Sequence, residues 1–205
     1  VGRNPGSFGA VTISGNSSLW NSTGGVNIGL GPSNAAGGSG ILTVNGQGRI
    51  FAPVINVGAG GTIAGTGTME AAITNDGVAS PGAAPGQAGT LTVTGAYTQG
   101  SAGELAIEVG QSGFDVLSVS GGATLGGDLI VSLIGSPNPP DGQVYDIVSA
   151  GSITGTFATV TVPDLPGGRT FTVSYTSTKV RLTVGAGAPS CPEDVDDDGM
   201  VGFSD

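Results

Sequence analysis

Short runs of alternating apolar and polar residues, each stopped by a glycine, fill most of this chain. The phrase Val11-Thr12-Ile13-Ser14-Gly15 recurs as Leu42-Thr43-Val44-Asn45-Gly46 and as Leu91-Thr92-Val93-Thr94-Gly95. Val116-Leu117-Ser118-Val119-Ser120-Gly121 is a looser fourth copy. Each sets apolar side chains two residues apart with Thr or Ser between them. That is the period of a short strand buried on one face, and the glycine marks a turn. A second pair, Val26-Asn27-Ile28-Gly29 and Ile55-Asn56-Val57-Gly58, match one another in the same way. Gly61 to Met69 and Ala72 to Val78 read as further short strands. No apolar period of 3.6 residues is sustained, so no helix is expected.

Strands of three to five residues with Gly, Asn and Ser turns predict a coil with several strands per rung. A parallel β-helix, or β-solenoid, is built this way. Its inner positions stack Val, Ile and Leu from rung to rung. Its corners take glycine for positive φ, and corner Asn can stack and hydrogen-bond along the axis. From Tyr97 the strands lengthen: Glu104 to Val109, Leu129 to Ile134, Val144 to Val148, Phe171 to Tyr175 and Val180 to Val184. The expected organisation is β-helix repeats over 1–96, a C-terminal β-helix and β cap over 97–184, a linker over 185–192 and an acidic loop over 193–205. The N-terminal side shows no cap. An open rung end is a template for strand addition, so end-to-end self-association into a homo-oligomer or fibre is expected there.

Composition narrows the function classes. The chain has 205 residues, 41 of them Gly, and mean hydropathy is positive, which argues against a disordered coil. Net charge is −10 with only five Lys and Arg, so nucleic acid and anionic membrane are poor partners. No run of about eighteen apolar residues exists to span a membrane. The chain does not open with Met or a signal peptide, which predicts a mature or trimmed form. Cys191 is the single cysteine, and in a secreted protein an odd cysteine suggests a partner elsewhere.

Ile55-Asn56-Val57-Gly58-Ala59-Gly60-Gly61-Thr62-Ile63-Ala64-Gly65-Thr66-Gly67-Thr68 resembles the repeat of autotransporter-associated β-helices. Thr74 to Gly82 and Gly89 to Gln99 continue the pattern, and the resemblance covers residues 41 to 184. It implies a right-handed parallel β-helix, an extracellular or cell-surface location in a secreted bacterial protein, and no catalytic residues.

The last twelve residues read as a calcium loop. Asp194, Asp196, Asp198 and Asp205 stand at positions one, three, five and twelve, Gly199 at six, and Met200 would give its backbone carbonyl at seven. A hard cation wants six to eight oxygens, and alternate residues of a tight turn point inward. The loop resembles the type I dockerin repeat, with Cys191-Pro192-Glu193 as its lead-in. The resemblance implies Ca²⁺ as the ligand. The sequence stops where the helix and second loop of a dockerin would begin, which predicts a longer full protein.

Enzymatic chemistry has little support. Without His, the His-dependent triads and thiol–His pairs are excluded within one chain, and a zinc site lacks its usual ligands. Paired carboxylates remain, with Asp76, Asp115, Asp128, Asp141 and Asp146 as candidates. Asp76 and Asp141 precede glycines, as turn residues do, and Asp115 and Asp128 flank strands like solvent-facing residues. Trp20 either covers a rung near the N-terminal side or offers a sugar-stacking platform. The expected function is a non-enzymatic extracellular structural or adhesive β-solenoid. The alternative is a carbohydrate-binding or polysaccharide-cleaving β-helix on a secreted scaffold, with a cell-surface glycan as partner.

Overall fold

The alternating phrases become strands of an all-β protein. The computed structural model describes residues 1–31 and 37–186. In chain order the strands begin with β1 (Phe8–Ile13), β2 (Leu19–Asn21), β3 (Val26–Ile28), β4 (Ser39–Val44), β5 (Arg49–Val57) and β6 (Gly61–Gly65). Next come β7 (Thr68–Asn75), β8 (Val78–Pro81), β9 (Thr90–Val93), β10 (Tyr97–Gln99), β11 (Glu104–Gly110) and β12 (Val116–Leu125). The last are β13 (Asp128–Ile134), β14 (Val144–Gly155), β15 (Thr159–Thr161), β16 (Phe171–Tyr175) and β17 (Lys179–Val184).

They form a seven-stranded sheet, ordered β1-β4-β6-β8-β11-β13-β15, and a ten-stranded sheet, ordered β16-β17-β14-β12-β10-β7-β5-β2. The chain passes back and forth between the sheets, and each return lies parallel to the strand already there. The ten-stranded sheet is creased. β2 and β3 pair with the two halves of β5, and β9 and β10 pair with the two halves of β7 and of β12. At the crease the register slips between Phe51 and Val54, where Pro53 supplies no N–H to the ladder, and again between Val119 and Gly122. Three faces therefore surround the core.

Each face carries an inward ladder of apolar residues. One runs Val11, Leu42, Ile63, Ala79, Leu105, Leu129, Val160. A second runs Trp20, Ile50, Met69, Val93, Val119, Ala150. A third runs Val26, Ile55, Ile73, Tyr97, Ala123, Ile153. The middle members are buried and form one contiguous cluster, while Val11 and Trp20 are half-buried and Val160 is exposed. Burying each large aliphatic side chain contributes about 1.5–3 kcal/mol, so these ladders hold the sheets together.

The corners need glycine where strands crowd. At Gly65 φ is +123°, and a Cβ there would lie 1.9 Å from the Val44 carbonyl oxygen. At Gly127 φ is +58°, and a Cβ would lie 2.1 Å from the Gly103 oxygen. The Asn pair on the outer face is a strand pair rather than a corner one: Asn56 on β5 donates to Asn27 Oδ1 on β3 at 3.0 Å.

Not every inward position is apolar. Asn75 and Gln99 stack on Val57 beside the third ladder, and both are buried. Asn75 Nδ2 donates to the Tyr97 hydroxyl and to the Glu104 carbonyl, both at 3.1 Å. The Tyr97 hydroxyl donates to Gln99 Oε1 at 2.9 Å, and Gln99 Nε2 reaches the carbonyls of Gly126 and Asp128. Every group has a partner, so the network costs little and ties successive turns of chain.

Two sequence expectations are corrected. Strands in the first half are not limited to three to five residues: β5 has nine and β7 eight, because each spans both sides of the crease. The stretch from Ala72 to Val78 is two strands, broken at Asp76-Gly77 where the chain changes sheets. After β15 the parallel pattern ends. β17 lies antiparallel to β14, and β16 antiparallel to β17. Asp146 faces Arg181 across that junction and accepts from Arg181 Nε at 2.7 Å, with Lys179 as a second partner. Those two cations hold the Asp146 carboxyl below its ordinary range.

Candidate functional site

The calcium ligands expected from sequence, Asp194, Asp196, Asp198, Met200 and Asp205, lie outside the described residues, as does Cys191. Among the described residues, no three His, Cys, Asp or Glu side chains come together as a metal site. Among them too, no helix is long and apolar enough to cross a membrane.

The candidate acids are scattered. Asp76 is exposed in the turn before β8, and Asp128 is exposed at the start of β13. Asp141 is exposed and sits 3.7 Å from Arg169. Asp146 is held in the ion cluster on β14. Asp115 does not face solvent as its position beside β12 suggested: it is completely buried. The chain reverses between Gly110 and Phe114, with Val109 bridging Phe114, and that reversal turns Asp115 under the loop running from Gly82 to Gly89. Its Oδ1 accepts from the Gly89 N–H at 2.8 Å and its Oδ2 from the Glu108 N–H at 2.9 Å. Burial pushes its pKa up to about 6. The two backbone donors oppose that rise, and the Glu108 charge adds to it. Glu108 in turn accepts from the Gly86 N–H at 2.8 Å. Both Asp115 oxygens are spent on backbone, so this pair clamps a loop rather than meeting a substrate. Nothing in the sequence singled out Glu108, whose alternation reads as an ordinary outward position on β11.

Two adjoining clefts flank the Gly110–Gly113 loop next to that clamp. One, of about 290 Å³, lies between the Gly110–Gly113 loop and the Pro137–Pro140 loop, over Phe114 and Tyr145. The other, of about 350 Å³, lies on the far side of the same Gly110–Gly113 loop, against Gly86, Gln87 and Ala88. Phe114 packs edge-on to Tyr145 at 5.1 Å, and Tyr145 edge-on to Phe171 at 6.0 Å. Arg169 fixes the second loop: it donates to the Pro139 carbonyl and to Asn138 Oδ1, and also to the Pro166 carbonyl at 2.8 Å. The sequence drew no attention to Gln111, Asn138, Gln143, Tyr145 or Arg169. Its only signal there was the pair of polar, Gly- and Pro-rich turns.

The first edge of the molecule has a different character. β1 begins the seven-stranded sheet and β2 stands at the end of the ten-stranded one, and no described strand covers either outer side. Phe8 is 68% exposed, Leu19 58% and Phe51 49%. Leu19 and Phe51 share the outer face of β2 and β5, where Asn21 pairs with Phe51, so they are diagonal neighbours. Trp20 points the other way, half-buried on Ile50 and packed on the core, as a covering residue does. Neither the family models nor the curated proteins contain a match to this chain.

Proposed function

We propose that the chain is a non-enzymatic structural and adhesive protein of the cell exterior. In this reading it is a right-handed parallel β-helix, or β-solenoid, closed on its C-terminal side by the antiparallel β16–β17 hairpin. Copies add to one another through the first edge. The observation that carries the reading is the set of parallel apolar ladders that run through the core and reach that edge at half-buried Val11 and Trp20. The outer sides of β1 and β2 offer N–H and C=O groups in strand register, flanked by exposed Phe8, Leu19 and Phe51, while on the third face Val1 already bonds Asn27 and Gly29. The Asp194–Asp205 loop supplies the carboxylate spacing for Ca²⁺.

Negative-stain microscopy of concentrated protein, with and without a calcium chelator, tests this reading. Filaments are expected from the unaltered chain. Placing charge on the edge with Ala10→Lys and Thr12→Lys, both outward on β1, abolishes them, whereas Thr62→Lys, outward on β6 and paired on both sides, does not. Monodisperse single particles from the unaltered chain at high concentration overturn the assembly reading.

A further inference from the structure

We propose that the two clefts flanking the Gly110–Gly113 loop form a binding site for a neutral oligosaccharide, one sugar ring on each side. Their volumes, about 290 and 350 Å³, sit at the bottom of the range of roughly 300–1,000 Å³ for small-molecule sites, which suits single rings. The shared loop makes them adjoining subsites rather than separate holes.

The lining fits an uncharged, hydroxyl-rich ligand. No charged side chain lines either cleft. The nearest cation, Arg169, is spent on two carbonyls, Asn138 Oδ1 and Asp141. Three carboxamides, those of Gln111, Asn138 and Gln143, line the first cleft. Gln111 Oε1 is held by the Asn138 N–H at 3.3 Å, Asn138 Oδ1 by Arg169, and Gln143 Nε2 by the Val144 carbonyl at 3.2 Å. Each amide is thereby oriented by one end. What remains without a partner among the described residues is the NH₂ of Gln111, the NH₂ of Asn138 and the carbonyl oxygen of Gln143. Two donors beside an acceptor match sugar hydroxyls, which both donate and accept.

Tyr145 adds an independent observation. The residue is only 8% exposed and lines the cleft, and its hydroxyl reaches solvent without a hydrogen bond among the described residues. A mostly buried aromatic whose polar tip alone reaches solvent at a cleft can exchange water there for a ligand hydroxyl. The Phe114 and Tyr145 rings and Pro139 supply the apolar floor on which a sugar's C–H face can lie. This site stands whether or not the rungs assemble.

Titration of ¹⁵N-labelled full chain with cellohexaose, laminarihexaose, mannohexaose and xylohexaose tests it, with hexagalacturonate and a proline-rich peptide as competitors of other chemistry. The expected result is that at least one neutral hexamer, at up to about 10 mM, shifts the side-chain amide signals of Gln111, Asn138 and Gln143. Tyr145→Phe, which removes only the hydroxyl, and Gln111→Ala on the exposed loop each weaken that binding by roughly three- to tenfold. Three results overturn the proposal: no shift of those amides with any neutral hexamer, shifts confined to residues elsewhere, or a response only to hexagalacturonate or to the peptide. Unchanged affinity in both variants overturns it as well.

Discussion

Asp115 makes the stability of this protein rise as the pH falls from neutral toward mildly acid, against the usual trend of acidic proteins. Its carboxyl has an ordinary pKa of 3.8 and is raised to about 6 in the folded state, chiefly by burial. The folded state therefore holds this proton more tightly than the unfolded chain. The associated stability is fully present below about pH 4 and is lost as the pH climbs through about 6. Raising the pKa from 3.8 to about 6 corresponds to about 3 kcal/mol, an upper figure. For a chain of this length that is roughly 6–12 °C in Tm. The background is quiet, because the chain has no His and ordinary carboxyls titrate lower. Asp146 works in the opposite sense, its contribution fading as the pH falls from its ordinary pKa of 3.8 through its depressed one, below this window. Asp115→Asn removes the titration. Its carboxamide still accepts from one N–H and turns its NH₂ on the other, at a cost of about 1–3 kcal/mol. At neutral pH that loss and the relief of a buried charge nearly cancel, so the diagnostic is slope rather than level. Thermal unfolding followed by circular dichroism from about pH 4.5 to about pH 7 should show Tm falling in the native chain and staying flat in the variant. Parallel slopes for the two proteins would refute the assignment.

Three further outcomes follow from the packing. Leu105→Ala empties the ladder between Ala79 and Leu129 and should lower unfolding free energy by about 2–5 kcal/mol in denaturant titrations. Gln99→Leu takes the acceptor from the Tyr97 hydroxyl and the donor from three carbonyls, those of Gly103, Gly126 and Asp128. It should cost about 1–3 kcal/mol, much of it absent when Tyr97 is already Phe, as a double-mutant cycle would read. Gly65→Ala, with its Cβ driven toward the Val44 oxygen, should destabilise far more than Gly142→Ala, where φ is +76° but no atom lies within 4 Å; the latter should cost about 1–2 kcal/mol.

Much of the strand architecture was legible because stacking in parallel register puts like on like. Val11-Thr12-Ile13 lies directly on Leu42-Thr43-Val44, Leu91-Thr92-Val93 on Leu117-Ser118-Val119, and Val26-Asn27-Ile28 on Ile55-Asn56-Val57. The repeated phrases are repeated because they occupy equivalent places in one ladder. The corner glycines were legible for the same local reason. The candidate cleft was not, since its carboxamides come from turns that meet only after β11, β13 and β14 are in place.

Sequence alone thus determined where most of the strands run, which of their sides is buried, and that the chain is all-β, since a period of two and its glycine stops are local properties. Tertiary structure decided which sheet each copy of the phrase joins: the first two lie on the seven-stranded sheet and the last two on the ten-stranded one. It also decided that Asn75 and Gln99 are interior and that Asp115 is buried under a loop. Alternation names a face but not a partner. A polar residue's burial depends on whether distant carbonyls and N–H groups converge on it, and only the assembled fold brings them there.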